Sequence, residues 1–178
     1  FDIPCPTQKL VHVHAGAEEL GRVYQGALLI NSGMPEFAAA AKKLAPVKPA
    51  WDAWTKEARA ELEAWQQPVK VPGKLNMSEV MDFLRKRLPT ESIITNGAGN
   101  FAIWVHRFYP YPGFRTQLAP TSGAMGYGVP SGVAAKIVYP KRPVISFSGD
   151  GCFLMNGQEL ATAAQYDAKV IFIVVNNG

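Results

Sequence analysis

The chain has 178 residues, 48% of them hydrophobic and 18% charged, which is enough apolar material for a real core and too little charge for disorder. The formal charge of +4 is spread along the sequence with no arginine-rich stripe, arguing against nucleic-acid binding, and no window reaches the roughly 18 continuous apolar residues of a membrane span. Two distant cysteines, Cys5 and Cys152, make no disulfide framework and fit a reducing, cytoplasmic setting.

The chain opens on Phe1 without a signal peptide and stops at Gly178 just after an apolar run, so it reads as a piece of a longer polypeptide. Residues 9–14 alternate and are valine-rich, predicting a strand. Residues 18–24 suit a short helical turn, 27–30 a second short strand, and Asn31-Ser32-Gly33 a turn. Pro35 fits the first turn of a helix reaching 41–44. Residues 51–66 carry Trp51, Trp54, Ala58, Leu62 and Trp65 at helical spacing, predicting an amphipathic helix whose aromatic stripe is core, packed across a domain junction. Pro68, Pro72 and Gly73 then break the chain. The expected division is 1–50, a linker at 51–74, and 75–178.

From Leu75 onward helices and strands alternate. Asn76 or Ser78 caps a helix running to Leu88, whose last turn carries Arg85-Lys86-Arg87 in keeping with its dipole. Strand 92–95, helix 101–108, short strand 114–118 and helix 126–138 follow, the last despite Pro130. Then come a buried strand 143–148, a helix 156–166 and an apolar strand 170–175. This order predicts an α/β fold, a parallel sheet with helices on both faces.

Strand 143–148 runs into Gly149-Asp150-Gly151, which reads as a turn that bends sharply and lets a phosphate approach the backbone. A right-handed crossover returns the chain to the same sheet edge at Asn176-Asn177. A carboxylate and an amide oxygen side by side suit Mg²⁺, with phosphate and water completing its shell.

Gly-Asp-Gly, 24 residues, then Asn-Asn resembles the binding motif of the thiamine diphosphate (ThDP)-dependent enzyme superfamily. The resemblance implies that Asp150 and Asn177 bind Mg²⁺, with a third ligand from a backbone carbonyl beyond the chain. It also implies that Gly149, Gly151 and Cys152 lie against the cofactor. The segment Pro120–Pro130 is similar to that preceding Gly-Asp-Gly in acetolactate synthases and their relatives. There Met125 matches the bulky apolar residue that enforces a bent cofactor. Gly123 matches the carbonyl that accepts from the 4′-amino group. The loop before helix 101–108 matches the one at the far end of the diphosphate, with Gly99 and Asn100 in contact. The family's Gly-Gln-His is here Gly99-Asn100-Phe101, so the histidine role does not carry over. Residues 1–45 resemble the end of a Rossmann-like middle domain. His14–Gly21 lacks the acids that hold a flavin's ADP part in acetolactate synthases, which argues against FAD.

Two decoys stand beside this reading. Gly97–Ala102 fits a dinucleotide GxGxxA pattern, but no acid follows about 20 residues later. His12 and His14 share a strand face without a third metal ligand in view, and read as an exposed or edge strand. The resemblance implies a Mg²⁺- and ThDP-dependent enzyme acting on 2-oxo acids, decarboxylating and ligating as acetolactate synthases do. Simple 2-oxo-acid or oxalyl-CoA-type decarboxylation is the alternative. A non-catalytic module or a dinucleotide-binding domain is the lesser one. It further implies a homo-oligomer, dimer or tetramer, with sites at a subunit interface. The activating glutamate would come from another domain, leaving this fragment inactive alone.

Overall fold

A computed structural model describes residues 1–176, and the Asn177 expectation lies outside those described residues. Backbone contacts divide the chain into two compact units, Phe1–Asp52 and a second from Ala53 onward.

In the first unit, β1 (Val11–His14) pairs in parallel with β2 (Leu28–Asn31), from Val11 opposite Leu28 to His14 opposite Asn31. The Asn31 side chain closes the open end, its Nδ2 donating to His14 O at 3.0 Å and Ala15 O at 2.8 Å. The helical turn expected at 18–24 is only a 3₁₀ turn over Ala17–Glu19, because Leu20 is extended and Gly21 left-handed at φ +74°. Helix α1 (Met34–Ala41) begins after an extended Gly33, with proline in its first turn. The His12 and His14 rings lie 6.3 Å apart, and among the described residues no three His, Cys, Asp or Glu gather as a metal site.

Helix α2 (Asp52–Trp65) forms where expected, but its aromatic stripe is not core. Trp51, Trp54 and Trp65 are 63%, 69% and 53% exposed, and the helix buries no residue. Trp65 is packed by a cation: the Arg107 guanidinium lies 4.3 Å from its ring centroid, and Arg107 Nε donates to Trp65 O at 2.9 Å.

The rest of the second unit is an all-parallel sheet in the order β4-β3-β5-β6. Its strands are β3 (Ile93–Asn96), β4 (Gln117–Leu118), β5 (Val144–Gly149) and β6 (Ile171–Val175). Helices α3 (Met77–Arg87) and α4 (Phe101–Phe108) bring Met81, Phe101, Val105 and Phe108 against Ile94, Ile145 and Phe147. Smaller clusters join Ala135 to Ile93 and Val144, and Val133 to Ala163, Ala168 and Phe172. They bring in α5 (Gly128–Val138) and α7 (Glu159–Gln165). The fold is thus α/β, with helices on both faces. Burying a side chain such as Phe147 or Ile94, each with 0% exposure, contributes about 1.5–3 kcal/mol.

Asn76 caps α3, its side chain accepting from Ser78 N at 3.0 Å. Three boundaries differ from expectation. Strand 114–118 shrinks to Gln117–Leu118 because Arg115 is left-handed at φ +54°. The small-residue helix starts at Gly128 rather than Gly126, whose φ of +85° lies outside the helical region. This keeps Pro130 in the first turn, where its missing N–H costs nothing. The helix expected at 156–166 is two helices, α6 (Asp150–Asn156) and α7, parted by Gly157 and Gln158. Gly-Asp-Gly is therefore no free turn: Gly149 ends β5 and caps α6, and Asp150 opens the helix.

Candidate functional site

Parallel strands end at a common edge, where open α/β sheets bind ligands. Asn96 lies opposite Phe147, and Gly149 opposite Val175. The register therefore carries the loop after β3, the start of α6 and Asn176 to one place. A cleft of about 350 Å³ opens there.

Most residues singled out from the sequence meet in this cleft. Gly99 and Asn100 line it from the β3 loop, Gly149, Asp150, Gly151 and Cys152 from the β5–α6 junction, and Met125 from the segment before α5. Asp150 is exposed and Cys152 is buried. The Met125 methyl hangs over Gly151: a β-carbon there would stand 3.6 Å from Met125 Cε. Gly123 is exposed, left-handed at φ +69°, and not among the cleft residues. The wall also contains Phe101, Trp104 and Val175, which supply apolar surface. Trp104 was not anticipated; its only sequence signal is its place one turn beyond Phe101 on α4.

Close packing fixes the cleft floor. A β-carbon on Gly149 would sit 3.2 Å from the Phe101 ring, and one on Gly97 would run into Cys152 Sγ. Gly97 N donates to Phe147 O at 3.1 Å, so its amide belongs to the sheet and is not free for a phosphate. Buried Asn96 donates from Nδ2 to Gly97 O at 2.8 Å. Its Oδ1 accepts from His106 Nε2 at 3.1 Å, which ties α4 to the loop and requires the Nε2-protonated tautomer.

The segment that carries Met125 is held at its far end by one carbonyl. Gly128 O accepts from Thr95 Oγ1 at 2.9 Å, Ser146 Oγ at 2.9 Å and Ser131 Oγ at 3.0 Å. These hydroxyls of β3, β5 and α5 are thereby paired in a dry interior, where unpaired they would be destabilising.

Chemically, the cleft offers one exposed carboxylate, backbone bare of side chains at Gly149 and Gly151, and an apolar wall. A hard carboxylate with amide and water oxygens suits a Mg²⁺ that carries phosphates. The glycines leave room for phosphate oxygens, and Met125, Phe101 and Trp104 suit a flat, partly apolar ring system.

Residues 97–178 match the family model described as thiamine pyrophosphate enzyme, C-terminal TPP binding domain. The chain is 29% identical to acetolactate synthase isozyme 1 large subunit of Escherichia coli, over 97% of this chain and 31% of that protein. It is 29% identical to the acetolactate synthase large subunit of Corynebacterium glutamicum, over 99% of this chain and 29% of that protein. A probable acetolactate synthase large subunit of Methanocaldococcus jannaschii is 38% identical over 57% of this chain and 17% of that protein. The chain spans about three tenths of the length of curated relatives that it matches almost end to end.

Proposed function

We propose that the chain is an acetolactate synthase-like member of the thiamine diphosphate-dependent enzymes, and that its cleft binds ThDP through Mg²⁺ in an enzyme that decarboxylates and ligates 2-oxo acids. The observation that carries this reading is the meeting of Asp150, Gly151 and Met125 in one cleft, with the Met125 methyl over the residue that follows the carboxylate. When bound, ThDP supplies the carbanion chemistry by which a 2-oxo acid loses CO₂ and its remainder joins a second carbonyl compound.

The chain's own part is to bind, orient and exclude water. Asp150, together with Asn177, would hold the metal, whose charge would offset the repulsion between carboxylate and diphosphate. Gly149 and Gly151 admit the phosphates, while Gly99, Asn100 and Cys152 line the surrounding wall. Met125 would support the cofactor's rings from the apolar side, and the carbonyl of Gly123 would accept from its aminopyrimidine. Phe101, Trp104 and Val175 keep water from the rings. The activating carboxylate comes from outside these residues, across a subunit interface of a homodimer or tetramer. Residues 1–178 alone are accordingly expected to be inactive.

The test is a calorimetric titration of the full-length protein with ThDP, with and without Mg²⁺. Binding should need the metal, vanish in EDTA and collapse in Asp150→Ala. Metal-independent ThDP binding, or NADH binding in its place, would sink the proposal. A dinucleotide site has less support, since the Gly97 amide is already bonded to Phe147 O. Incubation with pyruvate, alone and with a second 2-oxo acid, separates ligation from simple decarboxylation by product.

A further inference from the structure

Met125 is exposed and sits in a segment without regular structure, yet it must stand at a fixed height to support a ring. The next residue supplies the restraint. Gly126 is buried and left-handed, and both its peptide groups are taken by side chains of α6. Gly126 N donates to Cys152 Sγ at 3.1 Å, and Asn156 Nδ2 donates to Gly126 O at 2.9 Å. Cys152 and Asn156 stand one turn apart on α6, so from one face they grip the two peptide groups that flank the Gly126 α-carbon. The Asn156 Oδ1 in turn accepts from Gln158 Nε2 at 3.3 Å. A β-carbon on Gly126 would lie 2.7 Å from Asn156 Nδ2 and 3.0 Å from Met155 Cβ, so the grip closes only on glycine.

The same short helix begins with Asp150. Its first turn thus presents the carboxylate while its Cys152 and Asn156 hold the residue after Met125. We propose that Asn156, with Cys152, is a positioning residue that couples the height of Met125 to the metal-binding end of α6. This rests on the reading of the cleft as a ThDP site.

The experiment uses the full-length enzyme and the variants Asn156→Asp, Cys152→Ala and Cys152→Ser. Aspartate keeps the shape of asparagine but cannot donate to Gly126 O. Deuterium exchange of the peptide covering 123–127, measured without cofactor, reads the grip itself. ThDP affinity, with the near-ultraviolet circular dichroism of the bound cofactor, reads its consequence. Asn156→Asp should speed exchange and weaken ThDP binding about fivefold, the loss expected for one partly buried hydrogen bond. Cys152→Ala should speed exchange, and Cys152→Ser, whose hydroxyl still accepts, should restore it. In a Met125→Ala background, Asn156→Asp should cost no further affinity, since the asparagine acts through the methionine. Wild-type exchange in Asn156→Asp, or an undiminished effect of Asn156→Asp without Met125, overturns the proposal. If the wild-type protein binds no ThDP, the functional reading fails, while the exchange data still judge the grip.

Discussion

A methyl group on Gly128 would lie 2.7 Å from Gly97 N and 2.8 Å from Phe147 O, both main-chain atoms in a sheet that cannot yield. Gly128→Ala is therefore expected to cost about 2 kcal/mol or more, read as a lowered urea midpoint. Gly97→Ala meets a different obstacle, the side chain of Cys152. It should destabilise alone and regain part of the loss when combined with Cys152→Ala, a coupling that a double-mutant cycle measures. At this scale the sequence was legible wherever a residue type is chemically singular. Asp150 between glycines and a methionine at its fixed distance upstream both line the cleft. Trp104 and the grip on Gly126 were not legible. The first depends on which face α4 turns to the cleft. The second depends on a left-handed φ of +85°, which spacing does not encode.

Helix α3 tests the local rules element by element. Asn76 caps it and also donates from Nδ2 to Val69 O at 2.7 Å, fastening the preceding loop. Asn76→Ala should cost about 1 kcal/mol in thermal or urea unfolding. Further along, Asp82 bonds Lys86 at 2.6 Å and pairs with Arg85 at 2.6 Å. The hydrogen bond from Lys86 foremost, with the two positive charges, holds its carboxyl below the usual range against the opposing effect of burial. A carboxyl depressed in the folded state contributes stability above its unfolded pKa and loses it as pH falls through the folded value. Asp82→Asn should therefore lower the midpoint slightly at pH 7, by about 0.5 kcal/mol or less, and change nothing at pH 2. Element types were readable from hydrophobic period, whereas three boundaries moved where one residue turned left-handed. Gly126 trimmed α5, Arg115 trimmed β4, and Gly21 shortened the first turn. The α2 stripe misled because helical spacing of tryptophans reports a face and not what covers it. Trp65 has the Arg107 guanidinium stacked on it and is still half-exposed.

For the whole molecule the governing fact is the strand order. Among the described residues β6 is the last strand of its sheet, and Ile171 and Val174 are exposed. An apolar edge strand is a template for pairing with other chains. Residues 1–178 produced alone should self-associate in a concentration-dependent way by light scattering or sedimentation. Val174→Lys should reduce that association while shifting the unfolding midpoint little. The parallel α/β architecture was legible because strands and helices alternate and the strands are apolar throughout. The sheet's order was not, since periodicity says nothing of which strand lies beside which.

That order also governs when the cleft can exist. Ile93 pairs with Val144 and Gly149 with Val175, so every strand pairing beneath the site spans an intervening helix, and no local hairpin can form it early. Closing such loops comes before any contact rewards it, which makes parallel pairing slow. On the ribosome, Asp150 would emerge and wait without its neighbours until the residues through Val175 had been made and docked. A nascent chain therefore assembles the cleft late, and a half-made one has no cleft.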